Sequence, residues 1–524
     1  MSSPSGVMSP LSRGGSESIR RDERSLPGRI LPSWALGLAI ALVLAGCAGT
    51  SGRSTPRELT ILHFNDFHSQ MEPFSEEPEL WKGGAAYLAG AVERVRAERP
   101  RTLLLDAGDN VQGTPYFNFF RGAAEVDFLN ALGVDAMVPG NHEFDNGVAA
   151  LAAMLGPARF PVVSTNILAA QKLPVTPLAQ FDLDGVRVAV IGVTTQDLAQ
   201  VVLPSRNPGL RADSVVAAVR PWVEKVRDET DLVVVLSHCG LRSDSLLAVS
   251  VPGIDVIVGG HDHEALERPR RVPNANANGI EGTLLVEAGS RGAWLGRLDL
   301  RMDGRRIAAW DGRLIPIGPG LGPAEPRVAS IVAHYAERLG PELADILAMA
   351  PEGLPDAGKL DRPIALGGLI ADAMREAAGA QIALQNGGGI RTGVAPGPVR
   401  VMDVYAVLPF ENTIVKCILT GRQVEELLVF GLAHRGAGAY PQLSGVLFTE
   451  EDGRPRDIHI AGLPLDPQER YSVATLNYLF QGGDGYRVFA QAQAWEDTGL
   501  TVRDAFAQLL RRRGVIGAVP VGTR

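Results

Sequence analysis

The chain has 524 residues, 45% hydrophobic and 21% charged, and carries a net charge of −9. That length exceeds one ordinary core, so two domains are expected, and the composition is that of a globular chain. The acidic balance argues against a nucleic acid polymer as partner, because such surfaces cluster Lys and Arg. It leaves small anions open, since a few placed arginines or metal ions bind them.

In chain order, a basic region with Arg20, Arg21, Arg24 and Arg29 comes first, followed by an uncharged apolar run over 31–44. The run is short for a membrane span and suits a signal-peptide core. It ends in Leu44-Ala45-Gly46-Cys47, which resembles the lipobox of bacterial lipoproteins. The resemblance implies a leader over 1–47, an exported chain, and a membrane anchor through lipidated Cys47 in the cell envelope (periplasm or outer membrane in a Gram-negative cell). The other reading is an ordinary leader, or a short transmembrane anchor, with an incidental cysteine. Gly, Ser and Thr dominate the next stretch, so 48–57 is expected to be a flexible tether. Cys239 and Cys417 fall in different expected domains and are expected to be free, mostly buried thiols.

Over 58–317, short apolar runs at 58–64, 103–107, 162–165, 186–193, 232–237 and 256–258 read as buried strands. Helical patterns at 83–98, 116–132 and 213–228 alternate with them, which implies a layered α/β domain. The breaker cluster 318–323 marks a boundary, and a connecting helix is expected over 325–349. The second domain, 351–524, has expected helices at 366–378, 421–433 and 501–513 and strands at 381–385, 414–419, 445–449 and 471–475.

Five dispersed motifs follow the first domain's strands: Asn65-Asp66-Phe67-His68, Gly108-Asp109-Asn110, Gly140-Asn141-His142-Glu143, Ser237-His238 and Gly259-Gly260-His261-Asp262-His263. Ligand sites of α/β sheets lie at the carboxyl ends of strands, which groups these residues physically. Two divalent metals need carboxylate, amide and imidazole ligands with one carboxylate shared. Asp66, His68 and His263 would serve one metal, and Asn141, His238 and His261 the other. Asp109 is the natural bridge. A lone His or Gly-Asp pair is usually structural, but five motifs in order after strands are not.

The set resembles the calcineurin-like metallophosphatase superfamily. With the second domain, nearly the whole mature chain resembles the bacterial 5′-nucleotidase/UDP-sugar hydrolase family. The resemblance implies a four-layer αββα sandwich, a linker helix and a C-terminal α/β nucleotide-binding domain. It implies two divalent ions (Zn, Mn, Mg or Co). His263 stands where the 5′-nucleotidase branch often carries an amide. The resemblance also implies that His142 stabilises the transition state or protonates the leaving oxygen, with Asp145 fixing its tautomer. Asp145 also stands where it could cap a helix beginning near Gly147.

In the second domain, Asn386-Gly387-Gly388-Gly389-Ile390-Arg391 follows an expected strand. It resembles the family motif whose Arg meets substrate, and a guanidinium suits a phosphate. Asn386 is carried over with it. Arg362 has the spacing of another family substrate arginine, although Pro363 and Gly368 depart from the pattern; a surface role is the alternative. Phe410 and Tyr478 take the positions of two rings that sandwich a base, and Asp484 that of a ribose-binding carboxylate. Phe480 is expected in the core.

The implied activity is two-metal hydrolysis of extracytoplasmic nucleotides, chiefly 5′-nucleotides to nucleoside and phosphate, for nucleotide scavenging. A 2′,3′-cyclic nucleotide phosphodiesterase/3′-nucleotidase and a UDP-sugar hydrolase share the architecture. A non-catalytic surface binding protein is the rival of another class, opposed by competent ligand types at all seven metal positions. Oligomeric state is not encoded in these patterns.

Overall fold

The computed structural model describes residues 57–77, 80–276 and 278–517. The expected leader, Cys47 and nearly all of the tether lie outside the described residues.

Period-2 burial builds the first domain. In the strand Arg57–Phe64, Leu59 and Ile61 face one side while Leu62 and Phe64 face the other. The same alternation divides Val188 and Val190 from Ala189 and Ile191 in Val186–Thr194. Side chains alternate faces along a strand, so a strand apolar at every position must be covered on both sides. Two sheets achieve this by packing on each other. One runs Arg306–Pro316, Trp294–Asp303, Arg57–Phe64, Thr102–Asp106, Ala136–Met137. The other runs Arg270–Pro273, Gly282–Val286, Val256–Val258, Leu232–His238, Val186–Thr194, Leu178–Leu183. Leu105, Val190, Val234 and Leu236 fill the space between them. Helices cover the outer faces, Ala85–Glu98 and Ala123–Leu132 on the first sheet and Val215–Val226 and Leu241–Ser250 on the second. The expected αββα sandwich is the fold. A fully buried Leu105→Ala would cost about 2–5 kcal/mol.

Three expected elements differ. The helix expected over 116–132 is two, Pro115–Phe120 and Ala123–Leu132, because Arg121 and Gly122 adopt positive φ between them. Residues 162–165 make only isolated bridges, Met137 to Val162 and Val163 to Thr176, rather than a strand. The helix expected to reach 349 ends at Arg338, since Gly340 has φ 88° and Pro341 supplies no N–H. Its buried Val328 and Tyr335 join the first domain's core, whereas Ile346–Ala350 pairs with Gly397–Arg400 of the second domain.

The second domain holds a five-stranded sheet in the order Pro441–Ser444, Ile382–Asn386, Arg470–Leu476, Thr413–Thr420, Trp495–Thr501. Helices Ala365–Ala378, Gly421–Ala433 and Val502–Arg513 bury their apolar faces in its core. Thr420 and Gln423 form a reciprocal capping box at the start of the second of these helices, satisfying two otherwise orphaned N–H groups. Cys239 and Cys417 are free and buried. Phe480 packs at the edge of the core. Among the described residues no helix is long and apolar enough to cross a membrane.

Candidate active site

The strands Arg57–Phe64, Thr102–Asp106, Leu232–His238 and Val256–Val258 end on one edge of the sandwich, and their last residues and following turns supply the candidate ligands. Asp66, His68 and His263 form one cluster there, and Asp109, His238 and His261 another, the ligand atoms of each lying within 4.8 Å. Each cluster is therefore small enough to surround one ion. Positive φ recurs through both, at Asp66 (49°), His68 (50°), Asp109 (56°), His261 (93°) and His263 (61°). Non-glycine residues in this region cost roughly 1–2 kcal/mol each, strain that the surrounding turns must hold.

Hydrogen bonds orient the donors inward. His68 Nδ1 donates to Gln112 O (3.0 Å) and His238 Nδ1 to Ala107 O (2.7 Å), since a carbonyl only accepts. The Nε2 lone pair of each ring is thereby turned to the site. His68 Nε2 and His263 Nε2 lie 3.0 Å apart, and Asp66 Oδ1 is 3.4 Å from the latter. Asp66 Oδ2 is occupied by Asn65 Nδ2 (2.7 Å) and His261 N (2.9 Å). Asp66 Oδ1, Asn141 Oδ1 and His238 Nε2 are buried without a hydrogen-bond partner. Buried polar atoms are costly when unpaired, so three orphans converging with imidazole lone pairs fit divalent ions. The oxygen and nitrogen donor set also suits an open catalytic site better than a Cys-rich structural one.

The electrostatics agree. Burial alone would raise Asp109, yet the imidazoles of His238 and His142 hold it well below the usual carboxylate range. Burial works against charge on His238, but Asp109 at 3.2 Å outweighs it and pushes the ring up to about 10, so an ion bound there would displace the Nε2 proton before the ring serves as a ligand. Burial and the neighbouring His238 bring His261 down to about 4.

The two loops carrying Asp109 and Asn141 are tied together by Glu143. One oxygen, Oε2, accepts from the N–H of Asp109 (3.0 Å) and Gly140 (2.7 Å), and Oε1 accepts from Asn110 N (2.8 Å). Gly140 must be glycine, because a Cβ there would sit 2.1 Å from Asp109 Oδ1. His142 N donates to that oxygen (2.9 Å). The His142 ring places Nδ1 2.9 Å from Asp145 Oδ2, which also accepts from Gln112 Nε2 (2.9 Å). Asp145 therefore orients His142. The helix Val148–Leu155 has Gly147 at its N-cap and no side-chain cap, which overturns the capping alternative.

A cavity of about 500 Å³ connects these groups with the second domain. Asp109, Asn141, His142, His261 and His263 line one side, and Asn386, Arg391, Phe410, Tyr478 and Asp484 the other. Asp484 Oδ2 accepts from Asn386 Nδ2 (2.7 Å) and its Oδ1 from the Tyr478 hydroxyl (2.7 Å). Half-buried Arg391 donates from Nη2 to His68 Nε2 (3.1 Å), bridging the domains. The Phe410 ring lies 5.6 Å from that of His142. Arg362 is the exception. It is exposed, lies outside the cavity lining, and turns its guanidinium toward Ala357 O (3.4 Å). Sequence reasoning passed over Glu143, Asn65 and Asn110 as site residues although they stand inside the quoted motifs. Gln112 and Lys359, also lining the cavity, carry no sequence signal.

This sandwich and metal-type edge define a metal-dependent phosphoric ester hydrolase. The calcineurin-like phosphoesterase pattern matches residues 59–265, and the 5′-nucleotidase C-terminal domain pattern matches residues 352–491. The crystal structure of a 5′-nucleotidase precursor from Thermus thermophilus is 33% identical, with a TM-score of 0.83, covering 88% of this chain and 98% of that one. The chain belongs to the 5′-nucleotidase family. It is 28% identical to protein UshA of Yersinia enterocolitica, covering 93% of this chain and 97% of that one. It is 30% identical over 515 residues to the trifunctional nucleotide phosphoesterase protein YfkN of Bacillus subtilis, across 87% of this chain. This chain spans only about a third (34%) of YfkN.

Proposed function

We propose that the chain hydrolyses 5′-nucleotides to nucleoside and phosphate with two divalent ions, outside the cytoplasm, in nucleotide scavenging. The observation that carries this reading is one cavity lined by members of both ligand clusters, His263 of one and Asp109 and His261 of the other, and by the groups suited to a nucleoside. Asp66, His68, Asp109 and His263 would hold one ion, and Asp109, Asn141, His238 and His261 the other. Bound there, the ions supply Lewis acidity toward phosphoryl oxygens and lower the pKa of water.

The chain's own residues do the rest. Phe410 and Tyr478 hold the base, and stacking tolerates any base. Asn386 and Asp484 take the ribose hydroxyls, and Arg391 a phosphoryl oxygen. Water attacks phosphorus in line as the P–O5′ bond breaks. His142 gives its proton to the leaving O5′, with Asp145 keeping the ring aligned. The leader pattern and Cys47 support export and lipid anchoring. Replacing Cys47 by Ser should release the protein from the membrane fraction, and unchanged partitioning would remove the anchor. Replacing Asp109 by Ala should abolish phosphate release; wild-type turnover in that variant would remove the metal assignment.

A broader substrate range is the second reading, favoured by similarity to a protein named a trifunctional nucleotide phosphoesterase. A panel of 5′-AMP, 3′-AMP, 2′,3′-cyclic AMP and UDP-glucose ranks the two. Highest kcat/KM on the cyclic substrate would displace the 5′-nucleotidase reading.

A further inference from the structure

The segment from Asp356 to Arg362 carries two cations, and the fold turns them opposite ways. Its backbone is fixed from three sides. Gln442 Nε2 donates to the carbonyls of both Lys359 and Arg362 (2.9 Å each). Gly436 N donates to Leu360 O (2.7 Å). The glycine turn packs so closely that a Cβ on Gly387 would lie 2.3 Å from Lys359 O. Held this way, Arg362 is exposed and outside the cavity, while Lys359 lines it beside Asn386 and Arg391.

Lys359 Nζ donates to Asp356 Oδ2 at 2.7 Å. An ammonium has three N–H donors, so two are left for a ligand. Its partner fixes its position without filling the cavity, because Asp356 is not among the lining residues. Lys359 and Arg391 thus present two positive groups to one space and repel each other there, an arrangement that an anion relieves. Burial holds the Lys359 ammonium below its ordinary value, Asp356 opposing and Arg391 adding to the effect. The two cations have different geometry. The guanidinium is a rigid fork, whereas the ammonium is a point charge that follows a phosphoryl group as it moves.

We propose that Lys359, not Arg362, joins Arg391 in holding the anionic phosphoryl group of the substrate, with Asp356 as the residue that positions it. The inference rests on the nucleotidase reading and assigns the phosphate-binding cation of that site.

The test compares KM for 5′-AMP with the inhibition constant of adenosine, which lacks the phosphate, in Lys359→Met, Lys359→Arg and Arg362→Ala. Hydrogen bonds to charged groups imply a rise in KM of roughly 10- to 100-fold for Lys359→Met. Adenosine inhibition should stay within about 2-fold, since no charged contact to it is lost. Lys359→Arg should recover part of the loss, and Arg362→Ala should match the wild type. An Arg362→Ala loss as large as that of Lys359→Met would overturn the assignment. So would equal weakening of adenosine and 5′-AMP, the signature of a merely structural lysine. A wild-type KM for 5′-AMP in Lys359→Met removes this inference alone, whereas a wild-type protein inert toward 5′-AMP removes the nucleotidase reading as well.

Discussion

His142 and Asp145 are joined by a 2.9 Å contact from ring Nδ1 to carboxylate Oδ2, one helical turn apart, at the wall of the cavity that also holds Asp109. Burial lowers the affinity of His142 for a proton, but the Asp145 and Asp109 carboxylates outweigh it, and the net shift is upward. In the proton-donor role proposed for it, His142 would be active when charged, so activity should fall as pH rises through its pKa. Removing one carboxylate lowers that pKa. Asp145→Asn should therefore move the basic limb of the kcat profile to lower pH and reduce kcat by about 10- to 100-fold, with a smaller change in KM. A profile unmoved by the substitution would contradict the role given to the pair.

Glu143 is a support whose loss should be felt at the metals. Its two oxygens accept three backbone N–H groups of the ligand loops. Glu143→Gln keeps the shape but turns an NH2 toward one or two of those donors. An unsatisfied buried group costs about 1–3 kcal/mol, so the variant should melt several degrees lower. It should also bind manganese more weakly by titration calorimetry. Wild-type metal affinity would show that Glu143 does not hold the loops.

In the base-stacking role proposed for it, Tyr478 would separate recognition of the nucleoside from chemistry on the phosphate. Base stacking on an aromatic side chain is worth about 1–3 kcal/mol. Tyr478→Ala should raise KM for 5′-AMP by roughly 5- to 100-fold while KM for p-nitrophenyl phosphate, which has no base, moves much less. Equal effects on the two substrates would remove the base assignment.

The edge that gathers the two candidate metal clusters was legible because these residues sit in short motifs at strand ends, where the α/β rule already places a site. The layered α/β character was legible from runs such as 232–236, apolar at successive positions, whereas the αββα arrangement came only with the family resemblance. Other features turned on helix breaks inside segments read as continuous, one of them at a Gly-Pro pair that the sequence does show. Arg121 in the left-handed region breaks what reads as one helix, and Gly340-Pro341 stops another. Arg362 has a family spacing but the wrong direction, because the pinning of 356–362 by Gln442 and the glycine turn decides which cation faces in. Gln112 reaches Asp145 across more than thirty residues, a contact that exists only once the chain is folded.

The most direct test of the central claim is phosphate release from 5′-AMP by the protein lacking its leader, first with manganese and then with EDTA. Two-metal hydrolysis predicts release with manganese that EDTA abolishes and added metal restores. Release that persists undiminished in EDTA, or a folded protein inert with every divalent ion supplied, would contradict it.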